Sequence, residues 1–141
     1  MSTAGQPYKV AIVVDEGLPS GLAANTAAVL ALSIGRQVET IIGPVIKDGD
    51  GSAHAGITTI PIPILTAAAD KVREIRNDAC TRDVELLVVD FTDCAQKTRN
   101  YADYGTLLEA ATGSEINYLG VALYGPKKAV QRLTGSLPLL R

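Results

Sequence analysis

Apolar and polar positions along the chain follow two alternating rhythms. Lys9 to Asp15 (KVAIVVD) is a short β-branched apolar run between polar residues, the pattern of a strand buried on both faces. Val84 to Asp90 (VELLVVD) repeats it, and Asn117 to Tyr124 (NYLGVALY) is a third buried strand. Helical rhythm fills the spaces between. After the Gly17-Leu18-Pro19-Ser20-Gly21 punctuation, Leu22 to Ile34 is a helix rich in alanine and leucine, closed by Gly35. Ala67 to Arg82, capped by Thr66, carries Ala68, Val72, Ile75 and Ala79 on one stripe and charged residues opposite. Thr92 to Ala111 is helical in composition, with Tyr101, Tyr104 and Leu108 facing inward. Gly125-Pro126 ends the third strand and opens a helix over Lys127 to Leu133, after which Gly135 breaks the chain toward Leu137 to Arg141.

Val38 to Ile64 has neither rhythm for long. Short β-type runs are broken by Gly43-Pro44 and by Asp48-Gly49-Asp50-Gly51, which is hairpin-turn chemistry. Pro61 and Pro63 alternate with Ile60, Ile62 and Ile64, and proline cannot donate to a ladder, so this strand should lie at a sheet edge or leave one side unpaired. Alternating strands and helices predict a three-layer α/β/α domain over residues 1–141, built on a mixed, mostly parallel sheet of about four strands. The helix Leu22 to Ile34 is apolar nearly all round and needs cover on more than one side, which makes it a candidate homodimer surface.

Composition narrows the functional classes. With 47% hydrophobic and 20% charged residues the chain reads as globular, no apolar run reaches bilayer length, and the amino terminus does not read as a signal peptide. The expected setting is the cytoplasm. Cys80 and Cys94 lack metal-ligand spacing, so neither a metal site nor a disulfide is expected, and no cofactor motif is present. A net charge of −2 with dispersed basic residues disfavours nucleic acid, tRNA included, as a partner.

Ligands of open α/β sheets gather at the carboxyl ends of strands, which directs attention to Asp15, Asp90 and Tyr124. If the strands bearing Asp15 and Asp90 are neighbours, two carboxylates share an edge, and repulsion would tune one for acid/base work, with Asp93 extending the group. Helix capping is the competing role for such aspartates. Gly125-Pro126-Lys127-Lys128 sets two lysines at a helix amino terminus, an anion site unless the lysines are simply solvated. His54 is the only imidazole and a candidate for acid/base work, although it stands in a glycine-rich loop, where a plain surface histidine is the commoner case. Asn25, a lone amide in the apolar helix, needs partners if it is buried.

Two stretches resemble type II peptidyl-tRNA hydrolases. They are Val10 to Ala31, with Gly21-Leu22-Ala23-Ala24-Asn25, and Val121 to Leu140, with Gly125-Pro126 and Leu133-Thr134-Gly135-Ser136-Leu137. The whole chain, including HAGITTIPIPIL at His54 to Leu65, VVDFTD at Val88 to Asp93 and the ending LTGSLPLLR, is similar to an uncharacterised bacterial family that shares the hydrolase fold. The hydrolase resemblance implies a lysine and a histidine flanking an Ala-Ala-Gln segment. Here those positions fall at Gly21 and Ala28, and the glutamine at Asn25. Its threonine falls near Gly120, and its catalytic aspartate has no residue assigned here. Fold therefore transfers more readily than activity. Three readings follow: binding of a small anionic metabolite or nucleotide at the strand ends, a diverged peptidyl-tRNA or ester hydrolase, and a non-catalytic homodimeric interaction protein.

Overall fold

The computed structural model describes residues 7–82 and 85–141, and of Arg82 only the backbone. The first strand, β1, spans Tyr8–Asp15 and is buried almost end to end. It can be apolar on both faces because helices lie over both. Val10, Ile12 and Val14 face one helical layer, Ala11 and Val13 the other. Each fully buried valine or isoleucine contributes about 1.5–3 kcal/mol.

The helix α1 (Ser20–Gln37) seats Ala23, Thr26, Ala27, Leu30 and Ile34 on the sheet. It runs past Gly35, the expected terminus, and ends where the Val38 N–H reaches the Ile34 carbonyl. Arg36 and Gln37 are good helix formers, so one glycine near the end costs too little to stop the helix. After a 3₁₀ turn at Glu39–Ile41 the chain leaves the body of the domain and returns, with β2 (Ile46–Lys47) pairing antiparallel to β3 (Ala53–His54). The Asp48 to Gly51 segment is the turn between them, as expected, with Gly51 at φ +86°.

The proline-bearing stretch from Ile60 to Pro63 is not itself a strand; β4 (Ile64–Ala67) begins only after Pro63 and lies at an edge of the main sheet. Thr66 sits inside this strand instead of capping a helix. The Ala68 carbonyl, not a threonine hydroxyl, takes the first bonds of α2 (Ala69–Arg82). Val72, Ile75 and Ala79 form the buried stripe of α2, while Ala68 is exposed ahead of it.

Strand β5 spans Leu87–Thr92; Val84, where the sequence pattern would begin it, lies outside the described residues. The segment expected as one helix is two, α3 (Asp93–Gln96) and α4 (Tyr101–Ala110), with Tyr101 84% exposed instead of facing inward. The Asn100 side chain accepts the Asp103 N–H and so starts α4 afresh. Strand β6 (Tyr118–Pro126) leads directly into α5 (Lys127–Thr134).

The sheet order is β4-β1-β6-β5. Three strands run one way, but β6, inserted between β1 and β5, runs against them, so β1 with β4 is the one parallel pair. The carboxyl-terminal tail covers the outer edge of β4, where the Thr66 N–H donates to Pro138 and the Leu140 N–H to Ile64. Helices α2 and α5 share one face of the sheet, whereas α1 covers most of the other, with Ala95 of α3 packed at its margin. A helix about 10 Å wide cannot cover four strands spaced about 4.8 Å apart, and a flank beside β5 is left open. No helix among the described residues is long and apolar enough to cross a membrane.

Candidate functional site

The open flank is a groove of about 390 Å³, within the range of about 300–1,000 Å³ common for small-ligand pockets. Val29 and Ser33 of α1 form one wall, Val89, Asp90 and Phe91 of β5 the floor, and Ala95 with the Thr98 to Tyr104 segment the other wall. Each wall has a local cause. The break between α3 and α4 is held by the Thr98 hydroxyl, which donates back to Cys94, and by the Asn100 cap, so Arg99 and the start of α4 turn toward the groove.

Arg99 has no hydrogen-bond or ion-pair partner among the described residues. Beside it Tyr101 and Tyr104 meet edge to face, ring centroids 5.4 Å apart. Burial raises the Tyr104 hydroxyl above the usual phenol range, and Asp90, Tyr101 and Cys94 add to the effect, so at neutral pH it stays protonated as a donor. The first N–H groups of α4 have no partner within the helix. Among the described residues the groove thus offers an unpartnered guanidinium, a helix amino terminus, two phenols and a floor of Val89 and Phe91 with the paired Asp90 between them.

Asp90 is the one residue singled out from sequence that lines this groove, and its carboxylate is already engaged. Arg76 Nε donates to Asp90 Oδ2 at 3.1 Å, with both side chains largely shielded from water. The Arg76 guanidinium also lies 5.0 Å from the centre of the Tyr118 ring, and Arg73 lies 5.3 Å from the same centre. Arg73 donates in turn to the Gly113 and Ile116 carbonyls, so the Arg73, Tyr118, Arg76 and Asp90 group fastens α2 to the sheet.

The other sequence candidates scatter. Asp15 and Asp90 are not on neighbouring strands, because β6 lies between β1 and β5. Strand spacing and a two-residue offset put their Cα atoms about 12 Å apart. Asp15 Oδ1 accepts the Gly17 N–H at 2.9 Å, a turn-forming role, and lines a separate recess with Asp70 and Arg73. Asp93 ties the chain before β6, accepting from the Asn117 backbone at 3.2 Å and from its side chain at 2.9 Å. Asn25 is exposed on the outer side of α1 and needs no buried partner. His54 stands exposed on β3, its Nε2 2.8 Å from Asp48 Oδ2.

The Gly125 to Lys128 segment is at the opposite end of the molecule from Asp15. Because β6 is antiparallel, Pro126 pairs with Tyr8 at the start of β1, about 25 Å from Asp15 by strand rise. There Tyr124 packs on Tyr8 at 5.4 Å, its hydroxyl raised by burial, and Lys127 and Lys128 are exposed. Gly125 is glycine for packing, since a Cβ would lie 2.6 Å from Leu86 Cδ2. The grouping that sequence suggested, Asp15 and Asp90 with the α5 terminus, is therefore not one site.

Arg99, Ser33 and the amino terminus of α4 were missed in the sequence. The available signal was Asn100 with Asp103 three residues later, an N-terminal capping pattern that splits the helical stretch.

Comparison with known proteins adds fold but no chemistry. A family model described as a protein of unknown function, DUF2000, matches residues 8–141. A solved structure of a protein of unknown function from Agrobacterium strain C58 superimposes with a TM-score of 0.86 at 22% sequence identity, covering 95% of this chain and 98% of that one. No curated protein matches the chain.

Proposed function

The chain belongs to the DUF2000 family, whose function is unknown, and from its own geometry we propose that it binds a small anionic metabolite or nucleotide in the groove between α1, β5 and α4. One observation carries this reading: a guanidinium with no partner among the described residues, Arg99, stands at a helix start beside two tyrosine rings over a floor of Val89, Phe91 and the paired Asp90. A phosphate or carboxylate would take the Arg99 and α4 end. A ring or apolar body would lie against Tyr101 and Tyr104. A reducing, cytoplasmic setting fits the free thiols of Cys80 and Cys94.

The diverged-hydrolase reading has less support, although the resemblance to type II peptidyl-tRNA hydrolases motivates it. It would bring Asp90 and Lys127 to one substrate, and six residues of β6 separate their levels, about 20 Å by strand rise.

A thermal-shift screen with nucleotides, sugar phosphates and inorganic phosphate tests the ligand reading. A ligand at a hundred times its Kd stabilises the native state by about 2.7 kcal/mol. The shift should disappear in Arg99→Ala and shrink in Tyr101→Ala, while Lys127→Ala with Lys128→Ala keeps it. A shift lost only in the lysine pair would move the site to the other end of the sheet and end this reading.

A second reading, homodimerisation through α1, has its own observation. Leu32 is 78% exposed on the side of α1 opposite the sheet, and no charged residue occurs from Ser20 to Gly35. A monomer in sedimentation at high concentration would remove it.

A further inference from the structure

Between Ile41 and Thr59 the chain forms an arm that stands off the body of the domain. Its neck is fastened by the Gly43 N–H to the Ile57 carbonyl at 2.8 Å and the Thr59 N–H to the Ile41 carbonyl at 2.7 Å. Gly56 must be glycine there, because a Cβ would sit 1.7 Å from the Gly43 oxygen. The tip is equally tied. The Asp48 carboxylate accepts the Asp50 and Ser52 N–H groups and meets His54. A segment so well bonded has a fixed shape, yet it leaves large aliphatic side chains in water, Ile46 and Ile57 lining an open recess of the arm. Ile57 is 78% exposed and Ile46 66%, with Ile42 and Val45 exposed beside them.

We propose that this arm docks on a second copy of the chain, closing over the partner's α1 in a two-fold dimer; the proposal rests on the α1 reading above and extends it. Area is the first reason. An 18-residue helix offers a strip about 27 Å long and 10 Å wide, roughly 300 Å², against the ~800 Å² per partner that a stable interface buries. Helix α1 alone is too small, and the arm supplies the remainder. The two surfaces are continuous, since Ile42 Cδ1 lies 3.9 Å from where a Gly35 Cβ would be.

Charge is the second reason. The outer strip of α1 has no charge from Gly21 to Gly35, and the exposed arm positions Ile42, Val45, Ile46 and Ile57 are aliphatic. A two-fold interface sets each patch against a copy of itself, and the uncharged strip of α1 does so without like-charge repulsion, while the charges of the arm, Lys47, Asp48 and Asp50, are of both signs and lie at its tip. Strongly apolar interfaces are characteristic of permanent homodimers. Direction is the third reason. The arm grows from the carboxyl-terminal end of α1. With two α1 helices packed antiparallel, each arm lies beside the amino-terminal half of the partner's α1. Gly21, Ala24 and Ala28 are exposed and small in that half and leave room for isoleucine side chains, with Ser20 and Asn25 exposed beside them.

The test is light scattering and sedimentation of the full chain, of Leu32→Asp, and of the pair Ile46→Asp with Ile57→Asp. All three positions are exposed, so unchanged circular dichroism is expected. The parent protein should be a dimer, and both variants should dissociate with Kd raised at least about a hundredfold, the scale of losing interface anchors. If Leu32→Asp is monomeric but the arm pair stays dimeric, the arm proposal is overturned and the α1 reading stands. If the parent chain is monomeric at 100 µM or above, both fall.

Discussion

Gly120 sets how closely α1 sits on the sheet, and adding one methyl there should be measurable. A Cβ at this position would lie 2.6 Å from Thr26 Cγ2, 3.1 Å from Leu30 Cδ1 and 3.1 Å from the Val13 carbonyl oxygen. Ordinary carbon contacts are about 3.5–4.0 Å, so α1 must lift by about 1 Å or Thr26 must rotate. Rotation loses the 2.8 Å bond from the Thr26 hydroxyl to the Leu22 carbonyl in a residue with no exposed surface. Gly120→Ala should therefore destabilise by about 1–3 kcal/mol. Thr26→Ser removes the obstructing methyl and keeps the hydroxyl; alone it should cost about 1 kcal/mol as a deleted buried methyl. Combined, the two should cost less than their sum by about 1–2 kcal/mol, because serine makes room for alanine. Urea denaturation of the four proteins measures the cycle, with about 3–5 °C in Tm per kcal/mol as a second readout. Effects that add to within ~0.5 kcal/mol would refute the contact. The result bears on the groove, since Val29 and Ser33 move with α1.

Two further predictions concern the β5 end of the sheet. Thr92 is buried with its hydroxyl unpartnered among the described residues, so Thr92→Val, nearly the same shape, should stabilise by about 1 kcal/mol in urea denaturation; destabilisation would mean the hydroxyl has a partner such as a buried water. For Asp93, burial pushes the carboxyl up, but the Asn117 hydrogen bonds and Lys97 outweigh it and hold the group below its ordinary value. A carboxyl depressed in the folded state contributes stability above its unfolded pKa of about 3.9, which is lost as pH falls through the folded value. Denaturation from pH 7 to pH 2 should show that acid loss in the parent and a shallower slope in Asp93→Asn; identical slopes would remove Asp93 from the account.

The buried strands were legible because a strand covered on both faces must be mostly apolar, as β1 and β6 are, and because the half-buried edge strand β5 keeps the same short aliphatic run before Asp90. Their directions were not, since an apolar run reads alike both ways. That is why the Gly125 to Lys128 segment was grouped with Asp15, when antiparallel β6 puts it at the far end. The helix break at Lys97 to Asn100 was hidden by helix-favouring composition, although the Asn100 and Asp103 pair marked it. Because Arg99 of the groove sits on that break, the candidate site was hidden with it. Asn25 shows a related limit: an all-apolar helix reveals that cover is needed, not which side receives it.

Whether a ligand occupies the groove is tested most directly by titrating isotope-labelled protein with adenosine monophosphate and inorganic phosphate and following the backbone amide resonances. The account expects the shifts to concentrate at Ser33, Arg99, Tyr101 and Ala102, with Lys127 to Ala129 unmoved, and to vanish in Arg99→Ala. Shifts confined to the α5 terminus, or none in the groove at millimolar ligand, would contradict it.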